Sequence, residues 1–236
     1  MLLLAIDTST PTATAGVVSL LRPHELMGES PPTPATVLAE HTFTSPFAHA
    51  EQLMPLVQAA LAEAGHQLKD LEAVVVGLGP GPFTGLRVGI ATAQALGDAL
   101  DLPVYGVGSH DGRARIYVNE FDGDFLVVTD ARRREVYLSA YSASGARRFG
   151  PTPIAPAAVA AALQEAGVSA TSMIGPGADL LDGPPVGVVS GQLSSGLVLA
   201  AAIPLLTGAV PGPLTPLYLR RPDATEPGAR KSVLGP

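Results

Sequence analysis

The chain has 236 residues, of which 47% are hydrophobic and 15% charged, so it can bury the core of one large domain or two small ones. It contains no cysteine, which excludes disulfides, thiolate zinc sites and a cysteine nucleophile. Its formal net charge is −7 and its basic clusters are short, so we do not expect it to hold nucleic acid stably by itself.

No stretch of the sequence is long and apolar enough to span a membrane, and no basic segment precedes the N-terminal apolar run. Asp7 follows that run at once, which indicates a buried strand and not a signal peptide. These features predict a cytoplasmic protein without a membrane contact.

The first half of the chain predicts a β-β-β-α-β-α-β order. Apolar or β-branched runs indicate five strands, at residues 2–7, 12–20, 38–43, 71–77 and 103–107. Helical spacing of apolar residues predicts one helix that begins after Ser45 and ends at Gly65, and a second over residues 84–100. Residues 22–36 contain four prolines and predict a long surface loop.

After Gly108 the same pattern returns more loosely. Strands are predicted at residues 125–130, 135–141, 172–175 and 186–189, and helices at residues 156–166 and 195–206. Two successive α/β units of related plan, the second one shorter, indicate a duplicated architecture. The C-terminal tail, from Pro222 onward, has the proline, glycine and arginine content that is typical of disorder.

A glycine- and proline-rich loop follows the strand at residues 71–77. Gly79-x-Gly81-x-x-Thr84 ends in threonine where a dinucleotide-binding loop has glycine or alanine, and it lacks the lysine of a Walker loop. Pro80 and Pro82 remove two backbone N–H groups that would otherwise bind phosphate. The loop does not identify a nucleotide site on its own, and a generic Gly-Pro turn remains open.

Gly85, Gly89, Ala93 and Gly97 stand four residues apart in the second predicted helix and form one smooth ridge. Each glycine costs about 1 kcal/mol relative to alanine inside a helix, so the ridge indicates that something approaches the helix backbone very closely. The spacing leaves two interpretations open: packing on this protein's own sheet, or a helix–helix contact with another chain.

Candidate catalytic groups are few. The five histidines form no His-x-x-x-His or His-x-x-His pair, so we expect no histidine metal site, and no serine lies in a Gly-x-Ser-x-Gly turn. Asp7, with Thr8, Ser9 and Thr10 after it, has the residue types that face a nucleotide phosphate or Mg²⁺, although the same string also forms a capped turn.

Five segments of the chain together resemble the TsaB family, also called YeaZ. They are Ile6-Asp7-Thr8-Ser9-Thr10, His49-Ala50-Glu51-Gln52-Leu53-Met54-Pro55, the run GPGPFTGLRVG at residues 79–89, the run DARRREVY at residues 130–137, and Tyr218-Leu219-Arg220. The resemblance is strong over residues 1–107 and patchy beyond them. Pro82 departs from the serine that is usual in the family.

This resemblance implies an α/β, actin-like fold of the sugar kinase and Hsp70 superfamily. Two related β-β-β-α-β-α subdomains are expected, of which the second is reduced. The first, with the interface helices, would cover residues 1–107 and the second residues 108–218, followed by the tail at residues 219–236.

A non-catalytic partner subunit is the function that the resemblance implies. Family members pair with TsaD, a catalytic paralogue, and with TsaE, an ATPase, in the threonylcarbamoylation of adenosine in tRNAs that read ANN codons. They also form homodimers through the same two helices, and tRNA is bound only indirectly. The interface residues implied in this chain are His49, Glu51, Leu53, Val57, Phe83, Gly85, Leu86, Gly89, Ala93 and Gly97.

The resemblance further implies a degenerate nucleotide cleft without turnover, formed by Asp7, Thr8, Ser9, Asp130, Gly175 and Gly177. Arg132 and Arg133 stand where a nucleotide-binding relative has a glycine-rich turn, and Ala114 replaces the second histidine of the TsaD metal pair. We therefore expect no metal and no tightly bound cofactor, with ATP or ADP and Mg²⁺ held only inside the complex. An actin-fold phosphotransferase that uses Asp7 is the alternative, and a role in proteolysis is weaker because no nucleophile arrangement supports it.

Overall fold

A computed structural model describes residues 1–26, 34–45, 49–118, 120–184, 186–187 and 192–220. These residues form two sheets with helices around them. The strands are β1 (Leu2–Asp7), β2 (Thr12–Leu20), β3 (Ala35–Thr44), β4 (Ala73–Gly77), β5 (Val104–Val107), β6 (Asp124–Arg132), β7 (Glu135–Tyr141), β8 (Arg147–Ile154) and β9 (Ala170–Ile174). The helices are α1 (His49–Glu63), α2 (Phe83–Leu100), α3 (Ser109–Arg115), α4 (Val159–Glu165), α5 (Leu193–Ala200) and α6 (Ala202–Thr207).

The first sheet has the strand order β3-β2-β1-β4-β5. β1 pairs antiparallel with β2 on one side and parallel with β4 on the other, and β4 pairs parallel with β5. The central strands β1 and β4 are continuous apolar runs because helices cover both faces of the sheet. The five strands predicted for this half are confirmed.

Helices α1 and α2 cover one face of this sheet. Their buried side chains include Leu53, Val57 and Leu61 on α1 and Leu86 and Ile90 on α2, which pack against the apolar side chains of β1 and β4. The three- and four-residue spacing that predicted α1 is therefore the spacing of its buried side.

The second sheet has the order β8-β7-β6-β9 and repeats the plan of the first. β6 pairs antiparallel with β7 and parallel with β9, as β1 pairs with β2 and β4. The counterpart of β5 is reduced, among the described residues, to a single parallel bridge between Met173 and Val186. The duplicated α/β, actin-like fold with a reduced second half is confirmed.

Two elements were not predicted from the sequence. Helix α3 contains Gly112 and has no apolar period, and it is held by close packing on α5, where a Cβ on Gly196 would overlap the carbonyl oxygen of Gly112. Strand β8 contains a glycine and two prolines, residues that strands accept at the edge of a sheet, and β8 is an edge strand.

The single helix predicted at residues 195–206 is wrong, because the structure has two helices that meet at Ala201. Pro204 has no N–H to donate to the carbonyl of Ala200, and its ring excludes that carbonyl from a helical position. The chain therefore ends α5 at Ala200 and begins α6 at Ala202.

Helix α5 follows the second sheet in sequence but packs on the first. Leu193, Leu197 and Val198 lie in one core with Leu3 and Ala5 of β1, on the face opposite α1 and α2. The division predicted between residues 107 and 108 assigns α5 to the second subdomain, whereas its packing joins it to the first sheet.

Some predictions lie outside the described residues. They concern residues 27–33 of the proline-rich loop, residues 46–48 before α1, residues 188–189 of the last predicted strand and residues 221–236 of the tail. Within the described residues, no helix is long and apolar enough to cross a membrane.

Candidate functional site

The glycine ridge of α2 faces the protein's own first sheet. A Cβ on Gly85 would lie 2.6 Å from the backbone oxygen of Thr8, and a Cβ on Gly89 would overlap the Thr8 hydroxyl. A Cβ on Gly97 would overlap the side chain of Val104 in β5, and Ala93 is fully buried. Of the two interpretations of the spacing, packing on the chain's own sheet is therefore the one that the structure shows.

This result corrects the expectation that the ridge itself faces a second chain. A buried residue that is covered by its own chain cannot contact a partner without unfolding. That applies to the following members of the expected interface: Leu53, Val57, Leu86, Gly89, Ala93 and Gly97. His49 and Gly85 are also buried, but they line an opening between the first turns of α1 and α2. Glu51 is exposed and Phe83 is half-buried.

The opposite side of α2 is the one that is open. Thr84, Val88, Ala91 and Ala95 recur at four-, three- and four-residue spacing and form one line along the helix, which we call the outer stripe. All are exposed except Val88, which is half-buried. On α1 the exposed residues without charge are Ala50, Pro55, Gln58 and Ala62.

A groove of about 300 Å³ lies between the first turns of α1 and α2. Its lining includes Ala50, Thr84 and Val88 from the two helices and Arg132 from the β6–β7 hairpin. The imidazole of His49 closes its floor through a 3.1 Å hydrogen-bond contact between Nε2 and the carbonyl oxygen of Pro11. The outer stripe therefore begins in a concave, weakly charged surface.

Asp7 ends β1 and its side chain is fully buried. Its Oδ1 accepts hydrogen bonds from the backbone N–H of Ser9 at 3.0 Å and the hydroxyl of Ser9 at 2.6 Å. Its Oδ2 is enclosed without a hydrogen-bond partner, beside the position where a Cβ on Gly77 would lie. The side chain of Thr8 lies against α2 instead, where its hydroxyl donates to the carbonyl oxygen of Gly85 at 2.7 Å.

Helix α3 supplies polar groups beside Asp7 that sequence reasoning did not identify. A Cβ on Gly77 would lie 2.6 Å from the Ser109 hydroxyl, so this hydroxyl and the Asp7 carboxylate border the same space. Arg113 lies one turn further along α3, and its Nε is enclosed without a hydrogen-bond partner. Burial lowers the pKa of the Arg113 guanidinium, while the charge of Asp7 raises it. Asp7 therefore has a cation from its own chain nearby.

His110, the next residue of α3 after Ser109, connects this helix to the second sheet. Its Nδ1 lies 2.8 Å from the Ser139 hydroxyl and its Nε2 lies 2.9 Å from the Thr129 hydroxyl. Burial lowers the pKa of His110 to about 3, with smaller contributions from Arg113 and Arg147. Both nitrogens of this neutral ring are thus engaged by hydroxyls. No group of three or more potential metal ligands occurs in the part of the chain that the structure describes.

Asp130, Gly175 and Gly177 lie together at the end of β6. A Cβ on Gly175 would overlap the carbonyl oxygen of Val128, and one on Gly177 would lie 2.8 Å from the carbonyl carbon of Thr129. Close packing on β6 therefore explains both glycines. The Oδ1 of Asp130 accepts from the backbone N–H of Arg132 at 2.6 Å, so this carboxylate fixes the start of the hairpin.

The six residues expected to form one nucleotide cleft do not line a common opening. Asp130 lines a cavity of about 450 Å³, which we call the arginine cavity, whereas Asp7 is fully buried. The lining of the arginine cavity is Gly81, Pro82, Phe83, Asp130, Ala131, Arg132, Arg133, Tyr137, Tyr218 and Arg220.

The wall of the arginine cavity is fixed by contacts between distant parts of the chain. The rings of Phe83 and Tyr218 have centroids 4.7 Å apart, and the guanidinium of Arg87 lies 3.8 Å from the centre of the Phe83 ring. Arg220 donates to the carbonyl oxygen of Ala131 at 2.9 Å and forms an ion pair with Glu135. The C-terminal described segment is thereby held between the α2 end of the cavity and the β6–β7 hairpin.

Three consecutive arginines form the tip of that hairpin in a left-handed backbone conformation. Arg132, Arg133 and Arg134 have φ angles of 62°, 54° and 63°. A residue with a Cβ pays about 1–2 kcal/mol in this region, which favours Gly, Asn or Asp. The sequence had identified these arginines as replacements for a phosphate-binding turn but gave no indication of their strained backbone.

Comparisons with known proteins agree with this geometry. The family model described as "TsaD: tRNA N6-adenosine threonylcarbamoyltransferase" matches residues 43–173, which is more than half of the chain. An uncharacterized protein of Mycobacterium tuberculosis (strain ATCC 25618 / H37Rv) is 45% identical over 229 residues, covering 94% of this chain and 92% of that protein.

Relatives with functional names are shorter matches. The "tRNA threonylcarbamoyladenosine biosynthesis protein TsaB" of Bacillus subtilis is 35% identical over 141 residues, 60% of this chain and 55% of that protein. The protein of the same name from Escherichia coli is 32% identical over 151 residues, 60% of this chain and 55% of that protein.

A solved structure has the same fold along nearly its whole length. The crystal structure of a Pseudomonas aeruginosa protein described as similar to peptidase YEAZ has a TM-score of 0.63 and 27% identity, and covers 90% of this chain and 99% of that one. The family model, the TsaB relatives and the YeaZ-like structure all match a chain that also carries the expected motifs, so the chain belongs to the TsaB (YeaZ) family.

Proposed function

We propose that this chain is a non-catalytic partner subunit in the formation of threonylcarbamoyladenosine in tRNA. Its relatives named TsaB are biosynthesis proteins of that modified nucleoside, and the matching family model describes a threonylcarbamoyltransferase. The proposed partner is a TsaD-type paralogue that carries out the transfer to adenosine in tRNAs that read ANN codons. A TsaE-type ATPase is the proposed third component, and the same surface is proposed for homodimers in the absence of the partner.

The outer surface of α1 and α2 is the observation that carries this proposal. Only Glu51 and Glu63 on α1 and Arg87 and Asp98 on α2 are charged, which is few for two long helices on the outside of a protein. The outer stripe has small side chains, so a partner helix can approach the backbone of α2 closely. The ridge on the inner side anchors α2 to the sheet and makes the surface rigid before binding.

The proposed lack of turnover follows from the surroundings of the two aspartates. The Oδ1 of Asp7 accepts hydrogen bonds from Ser9, and the buried guanidinium of Arg113 adds a positive charge of the protein itself that interacts with the Asp7 carboxylate. The Oδ1 of Asp130 accepts from the backbone N–H of Arg132 and its Oδ2 lies 3.7 Å from the Arg132 guanidinium, so this carboxylate is engaged by its own hairpin. We propose that ATP or ADP with Mg²⁺ is held only in the assembled complex. The competing phosphotransferase predicts ATP turnover by the isolated chain that is lost in Asp7→Ala.

Light scattering on a size-exclusion column tests the proposal, with this chain alone and then mixed with the TsaD-type protein of the same source. We expect a stable mixed species for the unaltered chain. Ala91→Glu in the outer stripe is expected to abolish it, because a buried unpaired carboxylate is costly, while leaving the unfolding transition unchanged.

The matched control is Ala161→Glu, which makes the same substitution at an exposed position of α4, over the second sheet. It is expected to retain the mixed species. A mixed species that survives Ala91→Glu would show that the outer stripe is not the interface. Absence of any mixed species with the unaltered chain, together with ATP turnover, would favour the phosphotransferase.

A further inference from the structure

Basic side chains concentrate around the arginine cavity although the chain as a whole is acidic. Arg132, Arg133 and Arg220 line the cavity, Arg134 completes the hairpin tip, and Arg87 reaches its edge by donating to the hydroxyl of Tyr218 at 3.0 Å. These five are a large share of the 14 lysines and arginines in a chain of net charge −7. Two of the five pair with carboxylates, Arg132 with Asp130 and Arg220 with Glu135, so this surface keeps an excess of the positive charge that a polyanion requires.

The backbone conformation of the hairpin tip does not favour arginine. Arg132 pairs with Glu135, so Arg133 and Arg134 are the two residues of the turn, and both have positive φ. A two-residue turn of this kind favours Asn-Gly or Asp-Gly. Local chemistry that disagrees with the backbone is typical of positions that serve a function. The feature that arginine has and the favoured Asn-Gly pair lacks is the charged guanidinium group.

In contrast to the expectation that tRNA is bound only indirectly, we infer that the hairpin tip, Arg132–Arg134, and the arginine cavity bind phosphates of the tRNA backbone when this chain is assembled with its TsaD-type partner. Guanidinium groups bind phosphate oxygens with paired donors, and contacts of this kind position a nucleic acid without reading its sequence. Tyr218, which is 37% exposed, and the edge of Phe83 give the cavity an apolar side for a ribose or a base.

The location of the hairpin supports RNA as the occupant. Arg132 lines both the arginine cavity and the groove at the start of the outer stripe, so the hairpin borders the surface proposed for the partner. An RNA held by the partner would pass over this border. The partner surface itself carries little charge, so it does not favour an acidic protein segment. The arginines at its border therefore suit an RNA better than an acidic segment of a protein. This inference rests on the proposed function.

The variant Arg133→Asn/Arg134→Gly tests the inference without damaging the fold. It replaces the two turn residues with the pair that this turn favours, so we expect the variant to fold and to unfold cooperatively. The matched control is Arg147→Thr/Arg148→Thr, which removes two adjacent exposed arginines from the far end of the second sheet. There Arg147 lies opposite Tyr141 in the β7–β8 ladder and forms an ion pair with Asp111, away from the hairpin tip.

The measurement is the affinity of the assembled complex for tRNA over a range of salt concentrations. For Arg133→Asn/Arg134→Gly we expect affinity to fall about tenfold at moderate salt, and the slope of log affinity against log salt to shrink by about one to two. The control is expected to keep the affinity and slope of the unaltered complex.

Three results would overturn the inference. Unchanged affinity and slope would show that the hairpin does not touch RNA, and an equal loss in the control would show only a general effect of charge. Loss of the mixed species in Arg133→Asn/Arg134→Gly would assign the hairpin to a protein contact. A fourth result, no mixed species with the unaltered chain, would contradict the proposed function and this inference together. In the other three results the unaltered chain still forms the mixed species, so the two failures can be told apart.

Discussion

A Cβ on Gly89 would overlap the hydroxyl oxygen of Thr8, so these two residues hold the α2 helix against the end of β1. The same hydroxyl donates to the carbonyl oxygen of Gly85 at 2.7 Å. Thr8 therefore fills the space that two glycines of the ridge leave open. The ridge is a device for internal packing, and the surface available to a partner is the opposite side of the helix.

Gly89→Leu is expected to destabilise the protein itself. Overpacking a tight contact costs about 1–3 kcal/mol, so we expect a clear loss in the free energy of unfolding, measured by urea denaturation. Ala91→Leu is the control, since it adds the same side chain on the exposed outer stripe and is expected to change stability by no more than about 0.5 kcal/mol. Equal midpoints for both variants would contradict the packing described for the ridge.

The sequence predicted that something lies very close to the α2 backbone but not what it is. Spacing alone shows which residues share a face of a helix, and the identity of the neighbour depends on how β1 and β5 are placed in three dimensions. The first sheet could be predicted because β1 and β4 are apolar runs bounded by turns. In α3 and β8 the local pattern is weak, and tertiary contacts decide their structure.

The candidate site was predicted less completely than the fold. Asp7 and Ser9 do interact as a capped turn, which was one of the two interpretations of that string. Arg113 was not among the candidate residues chosen from the sequence, and only the packing of α3 brings it near Asp7. Its position four residues after Ser109 was the one signal available, because the two share a face of α3.

Gly175→Ala is expected to destabilise the chain in the absence of any nucleotide. Gly175 has a φ of 104° and its added Cβ would overlap the carbonyl oxygen of Val128. Both effects act on the folded chain, so we expect a loss of about 1–3 kcal/mol in unfolding free energy, measured in nucleotide-free buffer. The control is Gly183→Ala, whose nearest neighbour would be the Met173 sulfur at 3.9 Å. A Gly175→Ala protein with unaltered stability would return this glycine to a ligand-binding role.

The buried imidazole of His110 is expected to make stability depend on pH. Its pKa in the folded chain is lowered to about 3 from the ordinary value of 6.5, so between these pH values the unfolded chain binds a proton that the folded chain does not. The contribution of His110 to the free energy of unfolding is therefore complete above pH 6.5. Below that pH it falls as pH decreases, by up to about 1.4 kcal/mol per pH unit.

The window from pH 6.5 to 5.5 isolates the contribution of His110 from those of most carboxyl groups, which titrate at lower pH. Urea midpoints measured across it are expected to fall for the unaltered chain. His110→Gln keeps a polar side chain between Ser139 and Thr129 but cannot titrate, so its midpoints are expected to change less. Parallel pH profiles for the two proteins would show that His110 does not take part in the linkage.

Asp7 and Arg113 are expected to be energetically coupled. Arg113→Met would leave the carboxylate of Asp7 buried without its nearby cation, which we expect to cost about 1–3 kcal/mol of unfolding free energy. In an Asp7→Asn background the same substitution should cost less, since the charge to be compensated is gone. The double-mutant cycle, measured by urea denaturation, is expected to give a coupling energy of about 0.5–3 kcal/mol. Additivity of the two substitutions would mean that the guanidinium does not compensate the charge of Asp7.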